Sequence, residues 1–260
     1  FCGSCKAPLS SSSTGAAPDC RLSVTANGYE IAHSILDAVA QASDLRADTG
    51  SHWLVAADLG NDGNTVLHVL ASSDESHAGK LLQKALNIIC DGKFCDLLAD
   101  SLTMTNKVGL TPLLQACSSG CFDNAMMLAE AGLAVNKAAV CKADTTGRTA
   151  LHVLALAPGK VPDKLIGMLT STTLPCAKDN SGRTALYDAI VAGGAGNESV
   201  MYALLRHTEC VRTLVCGLQQ TSTVDDEPSL QKCFTALASA SSLASLRTLL
   251  ECIAQDHEGP

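Results

Sequence analysis

What this chain has little of decides much of its reading. Aromatic residues make up 3% of its 260 residues, with a single tryptophan, so no core can be built around large rings. Alanine and leucine must fill it instead, through many small contacts between helices. Charge is sparse and leans acidic, with 18 Lys and Arg against 26 Asp and Glu for a formal net charge of −8. A sequence-independent grip on nucleic acid needs phosphates neutralised by Lys and Arg, so direct nucleic-acid binding is not expected and a basic protein partner fits better. No apolar run approaches the roughly 18 residues of a membrane span, and no basic, apolar, cleavable leader is read ahead of the first motif. The expectation is a soluble protein of the cytoplasm, the nucleus or both, with no membrane contact. The chain begins at Phe1 rather than Met, which reads as a piece of a longer protein.

The groups that would carry chemistry are present, but not in working combinations. Thirteen cysteines are an odd number spread through apolar, helix-like sequence, and they read as reduced thiols used as small core residues rather than as a disulfide framework. Cys2-Gly3-Ser4-Cys5 has the spacing of half a zinc site. No second pair follows at the spacing a closed four-ligand site requires, and Cys20 alone does not supply it, so no metal is expected. Cys117 and Cys121 lack a nucleophile turn and an orienting acid nearby in sequence, and buried thiols are inert. Gly193-Gly194-Ala195-Gly196 follows an expected helix and lacks the Lys of a phosphate-cradling loop. Neither catalysis nor a cofactor is expected.

What the chain does have is a recurring nine-residue stretch, clearest at Gly147-Arg148-Thr149-Ala150-Leu151-His152-Val153-Leu154-Ala155. Near-copies begin at Gly63, Gly109 and Gly182, and weaker ones lie at Gly28-Tyr29-Glu30-Ile31-Ala32-His33 and Phe234-Thr235-Ala236-Leu237-Ala238-Ser239-Ala240. Each residue type has a local reason. The glycine ends a turn where a positive φ is expected. The threonine two residues on caps a helix, satisfying an amide without an intrahelical partner. Pro112 suits the first helical position, where no donor is needed. Leu151, Leu154 and Ala155, like Leu67, Leu70 and Ala71, recur three and four apart and give a short buried face.

On these residues the chain resembles the ankyrin-repeat family, whose Thr-Pro-Leu-His-x-Ala signature recurs about every 33 residues. The signature positions are Thr65 to Leu70, Thr111 to Ala116, Thr149 to Leu154 and Thr184 to Ala189, and the resemblance covers about residues 28 to 253. It implies an all-α ankyrin-repeat solenoid of about six helix-turn-helix units with irregular loop insertions. It also implies that Thr65 bonds with His68, and Thr149 with His152, while Leu114 and Tyr187 leave their repeats without the histidine bond. Within the family, Asp62-Gly63-Asn64-Thr65-Val66-Leu67-His68 and Gly109-Leu110-Thr111-Pro112-Leu113 resemble the inhibitor-of-NF-kappaB group. That likeness implies a Rel-type transcription factor as partner. The group's inhibitory phosphorylation motif does not appear in residues 1 to 26.

Along the chain, the Ser-, Ala-, Gly- and Pro-rich residues 1–26 read as a flexible N-terminal extension and residues 27–260 as the repeat domain. Ile31, Ile35, Leu36 and Val39 suggest a degenerate first unit acting as an end cap, with His33 packed. The glycines at 28, 63, 109, 147 and 182 are 35, 46, 38 and 35 residues apart. The excess lies around Asp91 to Thr105 and is expected in a loop. A helix from Phe122 to about Ala131 is expected to end at Gly132 as its C-cap, Pro158 to Pro162 to break one helix and start another, and Asp225-Asp226-Glu227-Pro228 to form an exposed loop.

The resemblance also places the residue after the signature histidine on the concave side. Val69, Gln115, Val153, Asp188 and Ser239 are therefore expected to form an open partner-binding row. The function expected is protein-protein interaction, either as a regulator of a Rel-type transcription factor or another signalling protein, or as a signalling scaffold that touches no transcription factor.

Overall fold

A computed structural model describes residues 62–74, 76–90, 95–157, 159–192, 198–207 and 209–214, with single positions at 34, 247 and 250. The N-terminal extension, the first and last weak repeats, Ser239 and the acidic stretch at 225–228 lie outside the described residues. Ten helices are described by their bounds: α1 Val66–Ser72, α2 Ser76–Cys90, α3 Cys95–Thr103, α4 Pro112–Ser118, α5 Phe122–Val135, α6 Lys137–Cys141, α7 Ala150–Leu156, α8 Asp163–Thr172, α9 Ala185–Ala192 and α10 Glu198–Leu205. No strand occurs among the described residues; a single antiparallel bridge joins Lys178 to Thr184. The described part is all-α and built of helix-turn-helix units of the ankyrin-repeat type.

The chain divides into two compact units, Phe1–Ala139 and Val140–Pro260. In the first, the short helices α1 and α4 pack side by side, and the longer α2, α3 and α5 pack on them and on one another. Leu67, Leu70, Leu82, Leu114 and Leu128 are fully buried there, each stabilising the fold by about 1.5–3 kcal/mol through removal from water. Ala71, Ala78, Ala85, Ala116, Ala125 and Ala129 are buried to 0% exposure, so small side chains set a close approach between helices. In the second unit, α7 and α9 form the most extensive pair, backed by α8 and α10, around Leu151, Leu154, Leu165 and Ile166.

The motif forms as its residue types require. Gly63, Gly109, Gly147 and Gly182 all have positive φ, between 72° and 87°. Thr65, Thr111 and Thr149 stand at N-cap positions in extended backbone, and Pro112 opens α4. Pro162 is the N-cap of α8.

Three local expectations are corrected. The excess length after α2 is not all loop: residues 95–103 form α3, with Ser101 and Leu102 buried, because an added helix can bury an apolar face that a loop would leave wet. Gly132 is not a C-cap. The helix runs on to Val135 and the cap is Asn136, whose amide donates to the Gly132 carbonyl at 2.8 Å. Gly132 is buried inside α5. Finally, the five cysteines whose side chains are described do not all line the core. Cys117 and Cys210 are buried, Cys121 and Cys176 half-buried and Cys141 exposed, all as free thiols.

Consecutive turns also bond to each other. In the first unit the Lys107 amide donates to the Asp62 carbonyl at 2.9 Å, and in the second the Asn180 amide donates to the Thr146 carbonyl at 2.9 Å. The Asn180 side-chain amide adds a bond to the Thr145 carbonyl at 3.1 Å. A Cβ on Gly147 would stand 2.5 Å from Asn180 Oδ1 and 2.9 Å from Asn180 N, whereas one on Gly182, at similar φ, would meet nothing within 4 Å. Alanine should therefore cost about 1–2 kcal/mol at Gly182, from φ alone, and on the order of 3 kcal/mol or more at Gly147, where the turn-to-turn bond must also break. Denaturant unfolding of the two variants tests this; equal losses would contradict the close approach.

Candidate functional site

The element that positions every candidate residue is the junction between a turn and the first helix of its unit. At Thr65 the backbone N–H donates to His68 Nδ1 at 3.2 Å, and the Thr65 hydroxyl lies 2.8 Å from the same nitrogen. This is a capping box with histidine in the place usual for Glu or Gln. Since Nδ1 accepts from an amide, the neutral ring carries its proton on Nε2, which donates to the Leu110 carbonyl at 2.8 Å. The bond spans 42 residues and ties α1 to the turn of the next unit. Thr149 and His152 repeat the arrangement, at 3.3 Å and 2.9 Å to Nδ1, with Nε2 donating to the Arg183 carbonyl at 3.1 Å. Leu110 and Arg183 occupy the same place, one residue after the turn glycine. Both histidines are buried, and both are structural.

Sequence reasoning missed the residue that shapes each turn. Three positions before the glycine stand Asn106, Asp144 and Asp179, all buried. Asn106 Oδ1 accepts from the amides of Val108 and Leu110, Asp144 Oδ1 from those of Thr146 and Arg148, and Asp179 Oδ1 from those of Ser181 and Arg183, all between 2.8 and 3.1 Å. Aligning the repeats at glycine shows Asn or Asp at this place in three of the four strong copies, with Gly60 in the other, and that recurrence is the signal that could have found them. Burial by itself would raise the Asp144 carboxyl, but hydrogen bonds from the Thr146 hydroxyl and the two amides, with the Arg148 charge, hold it below the usual carboxylate range. Arg148 Nε pairs with Asp144 Oδ2 at 3.3 Å, and Arg183 grips Asp179 Oδ2 through Nε and Nη2 at 3.1 and 3.0 Å. Asn124 was missed too. Its buried side-chain amide donates to the carbonyls of Leu70 and Ser73 at 3.1 and 2.9 Å, satisfying acceptors that the end of α1 leaves open.

The expected row of contact residues is uneven. Val69 and Gln115 are half-buried on α1 and α4, which pack together in the first unit. In the second unit Val153 is 8% and Asp188 3% exposed, so those two do not stand open as expected. Val153 and Asp188 take equivalent places on α7 and α9, which pack together. Asp188 is electrostatically underserved. Its Oδ1 is 3.8 Å from Arg183 Nε, a guanidinium already held by Asp179, and its Oδ2 is buried without a hydrogen-bond partner among the described residues. Burial pushes its carboxyl above the ordinary value, against the pull of the Arg183 and Arg148 charges.

Three of the described thiols are poor nucleophiles. Burial pushes Cys117 and Cys210 up to about 12 and raises Cys121 as well, with the Asp74 charge adding to it, so these groups stay protonated at neutral pH. Among the described residues no group of three or more His, Cys, Asp or Glu is gathered as a metal site would need. Nor is any described helix long and apolar enough to cross a membrane.

With the turns, caps and helix pairs in place, the fold is of the ankyrin-repeat type. Among solved structures the chain is similar to an ankyrin repeat domain from Acinetobacter baumannii AYE, at 21% identity and a TM-score of 0.47, over 67% of this chain and 74% of that one. No family model matches the chain. No curated protein matches it either.

The His68 geometry has a pH signature. Burial lowers its pKa below the ordinary 6.5, against the upward pull of its bond to Leu110. The unfolded chain therefore takes up the proton first as pH falls. Stability from this group is complete above the unfolded value, is lost as pH drops below about 6.5, and levels off beneath the lowered folded value. Asp188, whose folded value is raised, acts with the opposite sign at lower pH. Urea unfolding between about pH 7.5 and 5.5 should show stability falling with pH, and His68→Gln should flatten that slope. An unchanged slope in the variant would contradict the account.

Proposed function

We propose that the chain is a protein-protein interaction module without catalytic activity, docking its partner through positions that follow the signature histidine site, of which Val69 and Gln115 are the accessible ones in the first unit. The observation that carries this reading is the division of labour within each motif. The Thr–His–carbonyl bonds of two motifs and the Asn or Asp side chains of three turns are satisfied within the repeats, which leaves the neighbouring side chains on the first helices free to vary from repeat to repeat. They do vary: Val, Gln, Val, Asp and Ser stand at one register position. A scaffold that holds its backbone rigid while changing one set of side chains suits recognition of a partner surface.

Within that class the finer reading is a regulator that binds a Rel-type transcription factor or another signalling protein, acting in the cytoplasm or nucleus. It rests on the motifs at Asp62–His68 and Gly109–Leu113. The broader reading of an interaction module does not depend on those motifs.

Capture of partners by the tagged full chain, followed by titration of the captured protein, tests the proposal. Val69→Asp at the half-buried position should melt close to the parent and weaken binding by about tenfold or more, equivalent to about 1.4 kcal/mol. Unchanged affinity for both Val69→Asp and Gln115→Arg would remove the row as the docking surface.

A further inference from the structure

In the second unit, two first helices leave apolar side chains open at matching places. Leu156 on α7 and Val191 on α9 are each 45% exposed, and each lies nine residues after its turn glycine. Val153 and Asp188 lie three residues earlier on the same two helices, hence on the same faces. Because α7 and α9 are packed together, these four residues make one patch: an open apolar edge beside a buried acid. The equivalent places in the first unit are Val69 with Ser72 and Gln115 with Ser118, where the edge is polar.

The charges next to this patch do not balance. Asp144 is paired with Arg148 and Asp179 with Arg183. Asp188 is a third carboxylate with only a 3.8 Å approach from Arg183, and one oxygen lacks a partner among the described residues. Three acids thus face two guanidiniums. A buried carboxylate's field is screened less than that of a surface acid, so the surplus charge is felt at the open edge. Exposed apolar side chains beside a buried carboxylate that shares its guanidinium with Asp179 are complementary to a segment that carries both apolar groups and a cation.

We infer that Leu156, Val191 and Asp188 select a basic-apolar segment of a partner protein, its apolar side chains seated on Leu156 and Val191 and a Lys or Arg offsetting the charge of Asp188. The inference rests on the interaction-module reading and adds the chemistry of the partner. Docking here is local to the second unit. Salt weakens it, because part of the attraction is between charges.

The test uses a phage-displayed random peptide library selected on the full chain, with a selected peptide then titrated. Selected sequences are expected to place Lys or Arg between aliphatic or aromatic residues. Asp188→Asn and Leu156→Asp should each lower affinity about tenfold or more, while Ser118→Asp, at the matching exposed place in the first unit, leaves it unchanged. Melting curves accompany each variant, and the exposed Leu156 position keeps the test intact should Asp188→Asn unfold. Peptides without a cation, or affinity that survives Leu156→Asp, overturn the inference. If binding is instead lost with Ser118→Asp or Val69→Asp, the interaction module stands and this patch does not. A library that yields no binder defeats both. A chain that forms dimers abolished by Leu156→Asp assigns the patch to a second copy and also overturns it.

Discussion

The structure depends on one bond that leaves its own repeat: the Nε2–H of a buried histidine donating to a carbonyl one residue beyond the next turn's glycine, at 2.8 Å for His68 and 3.1 Å for His152. The first helices are only seven or eight residues long, too short to persist alone in water. Each histidine acts at both ends of that problem. Its Nδ1 side closes the capping box that starts the helix, and its Nε2 side holds the following turn in register. A hydrogen bond of this kind nets only about 0.5–1.5 kcal/mol. Its greater effect is that the Nε2–H and the facing carbonyl would be left unsatisfied if the next repeat moved.

Around that bond the remaining parts follow in order. The turn must return sharply enough to present its carbonyl, which needs positive φ at glycine and an Asn or Asp side chain collecting two amides three residues earlier. The turns then meet one another backbone to backbone, and Gly147 has no room for a side chain because Asn180 is there. Behind the first helices, alanine and leucine complete the packing, and Asn124 reaches from α5 to the open carbonyls of α1. With so little charge and so few rings, the fold is held by caps, turns and small-residue contacts repeated in each unit.

Much of this was legible in the sequence, for a physical reason: local backbone demands leave residue-type signatures. Glycine, threonine and the following apolar pair announced the turn, cap and buried face, and Thr65–His68 was placed correctly by the resemblance. The misreadings occurred where packing rather than local chemistry decides. Gly132 looks like a helix stop, yet it lies buried within α5. The 46-residue interval suggested a loop, although Leu97, Leu98 and Leu102 at helical spacing already hinted at α3. Asp188 and Val153 sit at a register that is open in principle; how α7 and α9 pack together cannot be read from a motif. The pairing of Asp144 with Arg148 and Asp179 with Arg183, which leaves Asp188 as the odd acid, depends on distances the sequence does not contain.

The functional reading inherits that hierarchy, since a docking surface exists only while adjacent repeats are locked together. Locking requires a specific proton placement. The most direct test is long-range ¹H–¹⁵N correlation NMR of the imidazole rings at neutral pH, which reports which nitrogen of each histidine bears the proton. The account predicts that His68 and His152 are both held as the neutral Nε2–H tautomer, with Nδ1 unprotonated. Finding the proton on Nδ1, or a ring averaging between both tautomers as free histidine does, would contradict it.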